Sequence, residues 1–352
     1  MTSPALVSFD HLCRLTDGVG LFEHARFTQP RPEHGYCVDD VARGLVVVAR
    51  QPGADADPTS VRLSQTYLRF LDSAQAPDGR FHNRRSVAGR WTDHPGVDDC
   101  WGRALWGLGT AAARAPWLGD EPLSRFEAGA QHRSPSLRSM LFAALGAAEV
   151  LQWRPGHGPA RSLLADTAQR VLGMPPGATP RTAPALPVGG APWPWPEPRL
   201  HYANAAIPEV LIAAGSLLDQ PRWAAEGLGL LRWLLEVETR GDHLSVTPVG
   251  GWALGEPRPG FDQQPIEVAA LADACARAFD VTGDVAWQRA LVSCAAWFEG
   301  ANDGGVAMCD AASGGGYDGL EALGRNENQG AESTLAMLTT FQHLARLLVT
   351  AS

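Results

Sequence analysis

Apolar residues recur at the three- and four-residue spacing of an amphipathic helix in twelve stretches of this chain, one of them weak. The pattern predicts helices over about 7–16, 38–50, 60–73, 98–115, 123–130, 135–150, 160–172, 203–218, 221–237, 265–281, 284–299 and 330–350. The segment at 123–130 is the weak one. Only two short stretches, 243–247 and 305–309, read as strands, and both lie in long loops. The Pro- and Gly-rich stretch from Met174 to Pro198 could be taken for a linker. Helical pairs continue on both sides of it, so it reads as a long loop within a single domain covering residues 1–352.

The polar positions add a second rhythm. Every other helix opens with a dense cluster of acids, amides and aromatics, at segments starting near Val38, Asp98, Pro135, Ala203, Pro265 and Gly330. The helices between them open on ordinary capping sequences such as Asp57-Pro58-Thr59-Ser60 and Thr282-Gly283-Asp284. Six helical hairpins closed into a ring, with inner and outer helices alternating, would bring all the rich openings to one rim. The expected fold is therefore all-α, an (α/α)6 toroid with a few short β segments in its rim loops.

Composition narrows the partners. The 352-residue chain is 45% hydrophobic with a formal net charge of −9, and all 29 of its basic residues are arginine. Without lysine there is no Schiff-base chemistry and no P-loop. Without a basic patch, nucleic acid is a poor partner. No apolar run approaches a membrane span, and Met1-Thr2-Ser3-Pro4-Ala5 lacks the charged and apolar regions of a signal peptide, so a cytoplasmic location is expected. The six cysteines are scattered with no C-x-x-C pair, which reads as reduced thiols rather than a metal site. No cofactor is called for.

The rim clusters carry the candidate chemistry. Asp39-Asp40 and Asp98-Asp99 each open an inner helix and are followed by Arg43 and Arg103. Adjacent helical residues point about 100° apart, so one acid of each pair can face the centre while the other caps or pairs with arginine. Arg43 and Arg103 fit intrahelical ion pairs and could also orient a carboxylate. Glu327 and Glu332 sit in the densest polar run, with Tyr317, Arg325, Asn326 and Asn328 around them. Amides suit sugar hydroxyls because they donate and accept, and aromatic faces suit the C–H face of a pyranose. On that basis His34, Tyr36, Asp98, Arg103, Trp195, Tyr202, Asn204, Glu209, Asp262, Gln263, Gln264, Glu267, Tyr317, Arg325, Asn326 and Asn328 are candidate substrate contacts. Trp193 and Trp195 fit a buried plug as well as a sugar platform, and Glu267 also fits a helix cap.

Four motifs carry a resemblance. Gly35-Tyr36-Cys37-Val38-Asp39-Asp40-Val41-Ala42-Arg43, Arg80-Phe81-His82-Asn83, Asp99-Cys100-Trp101-Gly102-Arg103-Ala104-Leu105-Trp106 and Asn326-Glu327-Asn328-Gln329-Gly330-Ala331-Glu332-Ser333-Thr334 are similar to a bacterial family of the six-hairpin glycosidase type. The resemblance spans about residues 11–343, and relatives carry Ser-His where this chain has Cys100-Trp101. It implies an (α/α)6 barrel and an association with glycosyltransferases and mannoside-active enzymes.

The resulting expectation is an inverting glycoside hydrolase acting on a short mannoside or glucoside. One of Asp39, Asp40 and Asp99 would work opposite Glu327 or Glu332, as acid and base in an order the sequence leaves open. A glycoside phosphorylase, an unsaturated-uronide hydrolase and a noncatalytic glycan-binding or glycosyltransferase-associated module are the alternatives. A terpene-cyclase toroid would need D-x-D-D or D-D-x-x-D motifs, and neither aspartate pair completes one.

Overall fold

A computed structural model describes residues 7–174 and 193–350. Among these residues are α1 (Asp10–Leu15), α2 (Val38–Arg50), α3 (Pro58–Ala74), α4 (Asp99–Arg114), α5 (Glu121–Gly129) and α6 (Leu137–Trp153). The second half holds α7 (Gly158–Leu172), α8 (Ala206–Leu217), α9 (Pro221–Val237), α10 (Pro265–Thr282), α11 (Val285–Phe298) and α12 (Ala331–Thr350). Each matches a helix that the periodicity predicts. The Pro/Gly-rich loop lies outside the described residues between 175 and 192.

Helices α2, α4, α6, α8, α10 and α12 pack in that order, and α12 packs back on α2. They form a closed inner ring. Helices α3, α5, α7, α9 and α11 lie outside it, each against its sequence neighbour, and α1 lies against α12. Burial follows this division. Along α6 every residue from Arg138 to Leu151 is buried, whereas α9 buries only Gly227, Leu230, Leu231 and Leu234. A helix apolar on all sides is one enclosed on all sides, and the outer helices carry the narrower stripe of a surface helix.

The tightest seam joins α4 and α6. A methyl group at Gly102 would stand 2.2 Å from the Ser139 carbonyl oxygen, and one at Gly146 would stand 2.2 Å from that of Leu105. The backbones touch there only because these positions lack a Cβ.

The strands are short antiparallel pairs in the loops. Residues 243–244 pair with 239–240, covering part of the predicted 243–247. The second predicted strand is displaced: Cys309–Asp310 pairs with Gly315–Gly316, and residues 305–308 precede it. Gly305 has φ +61°, a left-handed conformation that breaks an extended run at its first residue. No helix among the described residues is long and apolar enough to cross a membrane.

Candidate functional site

All six inner helices start at the same rim, so their positive dipole ends point the same way and lower the cost of first-turn acids there. A cavity sinks from that rim along the axis of the ring. Arg43, Arg103 and Glu332 line its upper part, and Val46, Trp106, Phe142, Ile266 and Leu335 form its apolar wall. Asp39 and Asp99 stand one helical turn above Arg43 and Arg103, at the lip.

Arg43 organises one side. Its guanidinium donates to Asp40 at 2.6 Å and to Glu332 at 2.7 Å, tying α2 to α12. Asp40 is sealed, and burial pushes its carboxyl up to about 7 against the pull of Arg43. Nearly half of the Glu332 side chain is open. Burial works to raise its proton affinity, but the charge and hydrogen bond of Arg43, helped by Arg103, bring it below the ordinary glutamate value. Asp39 goes the other way. Burial raises its carboxyl, and neighbouring Asp99 adds to the rise. One Asp39 oxygen is shut from solvent with no hydrogen bond, and the other accepts from Cys37 at 3.5 Å and Asn83 at 3.4 Å. Two carboxyls at one lip thus have proton affinities displaced in opposite directions.

Asp99 accepts a hydrogen bond from Ser139 Oγ at 2.8 Å and a longer one from Ser136 at 3.5 Å, both on α6. Arg103 departs from the expected ion pair with the acids of its own helix. It makes no hydrogen bond or ion pair to protein among the described residues, although it is buried. Its guanidinium lies 3.5 Å from the Phe142 ring centroid and 5.6 Å from that of Trp106. Burial pulls its pKa down to about 10, so it stays charged at neutral pH. Charge with unspent donors, held flat on an aromatic ring at a cavity wall, is a ligand-facing arrangement.

The other candidates divide into three groups. Tyr202 is partly exposed at the rim beside Phe142, 6.4 Å between centroids. Glu209 lines the cavity from below and pairs with Arg277 at 3.0 Å. A second group holds loops together. Tyr36 donates to Asp17 and stacks on Phe22. Asn204 is buried between His201 and Glu267, and Glu267 accepts from the backbone of Ala203 and Asn204. Gln263 donates to Gly260 and Asp303 and accepts from Trp297. Trp195 is fully buried and stacks on Trp233 of α9 at 5.6 Å, so the plug describes it and a sugar platform does not. Asn328 accepts from the Phe27 backbone, Asn326 accepts from that of Asn328, and Arg325 lies over the ring of Tyr317. The third group is on the outer surface. His34, Asp98 and Asp262 are exposed, Gln264 sits at the start of α10 half-buried, and Glu327 pairs with Arg325 at 3.1 Å. Of Glu327 and Glu332, the second lines the cavity and the first does not.

The floor was invisible in sequence. Arg50 of α2 bonds Asp273 of α10 at 2.6 Å and Glu149 of α6 at 3.3 Å. Arg114 of α4 bonds Glu149 at 2.7 Å, Arg277 bridges Glu209 and Glu149, and His343 of α12 donates to Asp273 at 2.7 Å. Every inner helix contributes a polar side chain. Burial would raise Glu149, but Arg50, Arg114 and Arg277 bring it below its ordinary value. Beneath this layer a second, wider hollow opens at the opposite end. The only hint in sequence was a glutamate inside an otherwise apolar run, Ala147-Ala148-Glu149-Val150-Leu151.

One group of potential metal ligands occurs among the described residues: Glu23, Cys37 and Asp40, with ligand atoms within 4.8 Å of one another. Glu23 is paired with Arg84 and Asp40 with Arg43, and burial pushes the Cys37 thiol up. Ligation would need a thiolate and two free carboxylates, which this environment opposes.

Comparison with solved structures decides the architecture. Cellobiose 2-epimerase from Bacillus thermoamylovorans superposes with a TM-score of 0.69 at 9% identity, covering 94% of this chain and 95% of that one. A D-mannose isomerase superposes with a TM-score of 0.71 at 10% identity, covering 98% and 100%. An inactive variant of a Salegentibacter sp. GH76 α-1,6-mannanase with two adjacent aspartates replaced, in complex with α-1,6-mannotetrose, gives 0.64 at 9%, covering 96% of each chain. The fold is the six-hairpin (α/α)6 toroid. No protein-family model matches this toroid's sequence, and no curated protein does.

Proposed function

We propose that this toroid is an inverting glycoside hydrolase acting on a short mannoside or glucoside. The observation that carries the reading is the opposed displacement of proton affinity at the lip. Glu332, whose proton affinity Arg43 lowers, serves as the base that activates water, and Asp39, whose proton affinity burial and neighbouring Asp99 raise, donates to the leaving oxygen. Inversion asks for a separation of roughly 6.5–9.5 Å between the two carboxyls, with water between them. Arg103 and the Phe142–Trp106 wall receive the sugar. A mannanase of the same fold is inactive with two adjacent aspartates replaced, which supports a catalytic role for one aspartate of the Asp39-Asp40 pair.

A second reading has its own support, because sugar epimerases and an isomerase share the fold at least as closely. A base and an acid at one lip would also serve proton transfer at a sugar carbon. The deciding experiment follows α- and β-linked manno- and gluco-oligosaccharides and free hexoses by NMR in D2O, with and without phosphate. Bond cleavage lost in Glu332→Gln and Asp39→Asn establishes the hydrolase. Dependence of cleavage on phosphate makes it a phosphorylase, and C2 deuteration without cleavage makes it an epimerase. Sugar binding with no chemistry leaves a glycan-binding module.

A further inference from the structure

From the shape and floor of the cavity, and resting on the glycosidase reading above, we infer that the site is a dead-end pocket for one terminal residue of a neutral glycan, so that the enzyme removes single sugars from the non-reducing end. Three observations converge. The first is depth. Along α12 the lining runs from Glu332 to Thr339, and along α10 from Ile266 to Asp273. Seven residues at 1.5 Å each make about 10 Å, room for one pyranose below the carboxylates but not for a chain passing through.

The second is closure. The Arg50–Asp273 pair, at 2.6 Å, joins the non-adjacent helices α2 and α10 under the pocket, and the Arg277–Glu209 pair, at 3.0 Å, joins α10 to its neighbour α8 at the same level. Asp273 and Glu209 line both the pocket and the hollow beneath, so this single layer divides the two. A glycan cannot thread it without separating buried ion pairs, which is strongly unfavourable. The scissile bond must therefore lie at the lip, with one sugar below it and the leaving group above.

The third is charge. Four carboxyl groups, Asp39, Asp40, Asp99 and Glu332, share this end of the pocket with two arginines, of which only Arg103 is unpaired among the described residues. Arg43 is already spent on two of these acids. A uronate or phosphosugar would bring a further negative charge into that group. The free guanidinium of Arg103 instead fits a pair of neighbouring hydroxyls, with Phe142 and Trp106 beside the ring.

The test uses the full chain and mannotrioses and glucotrioses in two forms, one free and one methylated on the hydroxyls of its non-reducing terminal residue. Turnover is resolved by chromatography, and binding to Glu332→Gln is followed by tryptophan fluorescence. With the reducing end of the free trisaccharide labelled, the inference expects the unlabelled monosaccharide and the labelled disaccharide as first products, no cleavage of the blocked form, and binding of the free form only. Ala336→Phe, which fills the wall, should abolish that binding while the melting temperature stays within a few degrees. Release of the labelled reducing-end monosaccharide as a first product, or equal handling of the blocked form, overturns the pocket while leaving the glycosidase intact. Selective binding of the free form without turnover overturns the glycosidase and leaves the pocket. Failure of both forms to bind overturns the pocket.

Discussion

Glu149→Gln should be among the most damaging single conservative changes in this protein. Glu149 is almost fully buried and receives Arg50, Arg114 and Arg277 from three helices of the ring. The substitution keeps the shape and removes the charge, leaving buried guanidiniums under-compensated. Breaking a buried pair from one side costs about 3–5 kcal/mol. Unfolding entropy of about 2.1 cal/mol/K per residue over 352 residues gives about 0.7 kcal/mol/K, so the melting temperature should fall by about 4–7 °C. The comparison is Arg114→Gln. Arg114 is 41% exposed and leaves Glu149 its two other arginines, so screening limits the loss to about 1 kcal/mol or less. Differential scanning calorimetry reads both. The pH dependence has a fixed sign. The folded-state pKa of Glu149 is depressed, so its contribution is full above the unfolded glutamate value and fades as pH falls through the folded one. The Glu149→Gln variant should therefore differ most from wild type near neutrality and converge with it in acid. A variant as stable as wild type, or less affected than Arg114→Gln, refutes the view that this carboxylate holds the floor together.

Other outcomes are as definite. Gly146→Ala gains about 1 kcal/mol of helix propensity, but its methyl meets backbone at 2.2 Å, so it should lower stability by about 1–3 kcal/mol in urea unfolding; a gain would mean that the α4–α6 seam opens freely. If cleavage is found, its rate should rise with pH through the depressed Glu332 value and fall through the elevated Asp39 value, and a rate with no fall on the alkaline side would remove Asp39 as the acid. Arg103→Met keeps the stacking volume and loses the donors. It should raise KM by at least about tenfold, one lost charged hydrogen bond, with the melting temperature nearly unchanged. An unchanged KM would show that the guanidinium never meets substrate.

The helices and their inner–outer order were legible because enclosure leaves a compositional trace. A helix like α6, buried on every side, is apolar throughout, and α3 opens on a plain Asp57 cap. The acids at the lip were legible for a similar reason, since Asp39, Asp99 and Glu332 sit in first turns at one rim. Function within the rim was harder to read. Amides that suit sugar hydroxyls suit backbone groups equally well, and Gln263 and Asn204 spend theirs on loops. Trp195 and Trp193 share the P-W-P-W motif that suggested stacking, yet their partners Trp233 and Trp252 are far away in sequence. The ionic floor depends on side chains of six helices meeting in space, a coincidence that no local spacing encodes.

The contact at Gly102 does more than let two helices touch. The carbonyl it faces belongs to Ser139, and the hydroxyl of that same residue holds Asp99 at 2.8 Å. The thickness of one backbone thus gauges how far a lip carboxylate leans over the pocket. A single methyl at position 102 would retune the site from the wall, altering chemistry without replacing any group that meets the sugar. Selection acting on such a seam can change what the rim does while every rim residue stays the same.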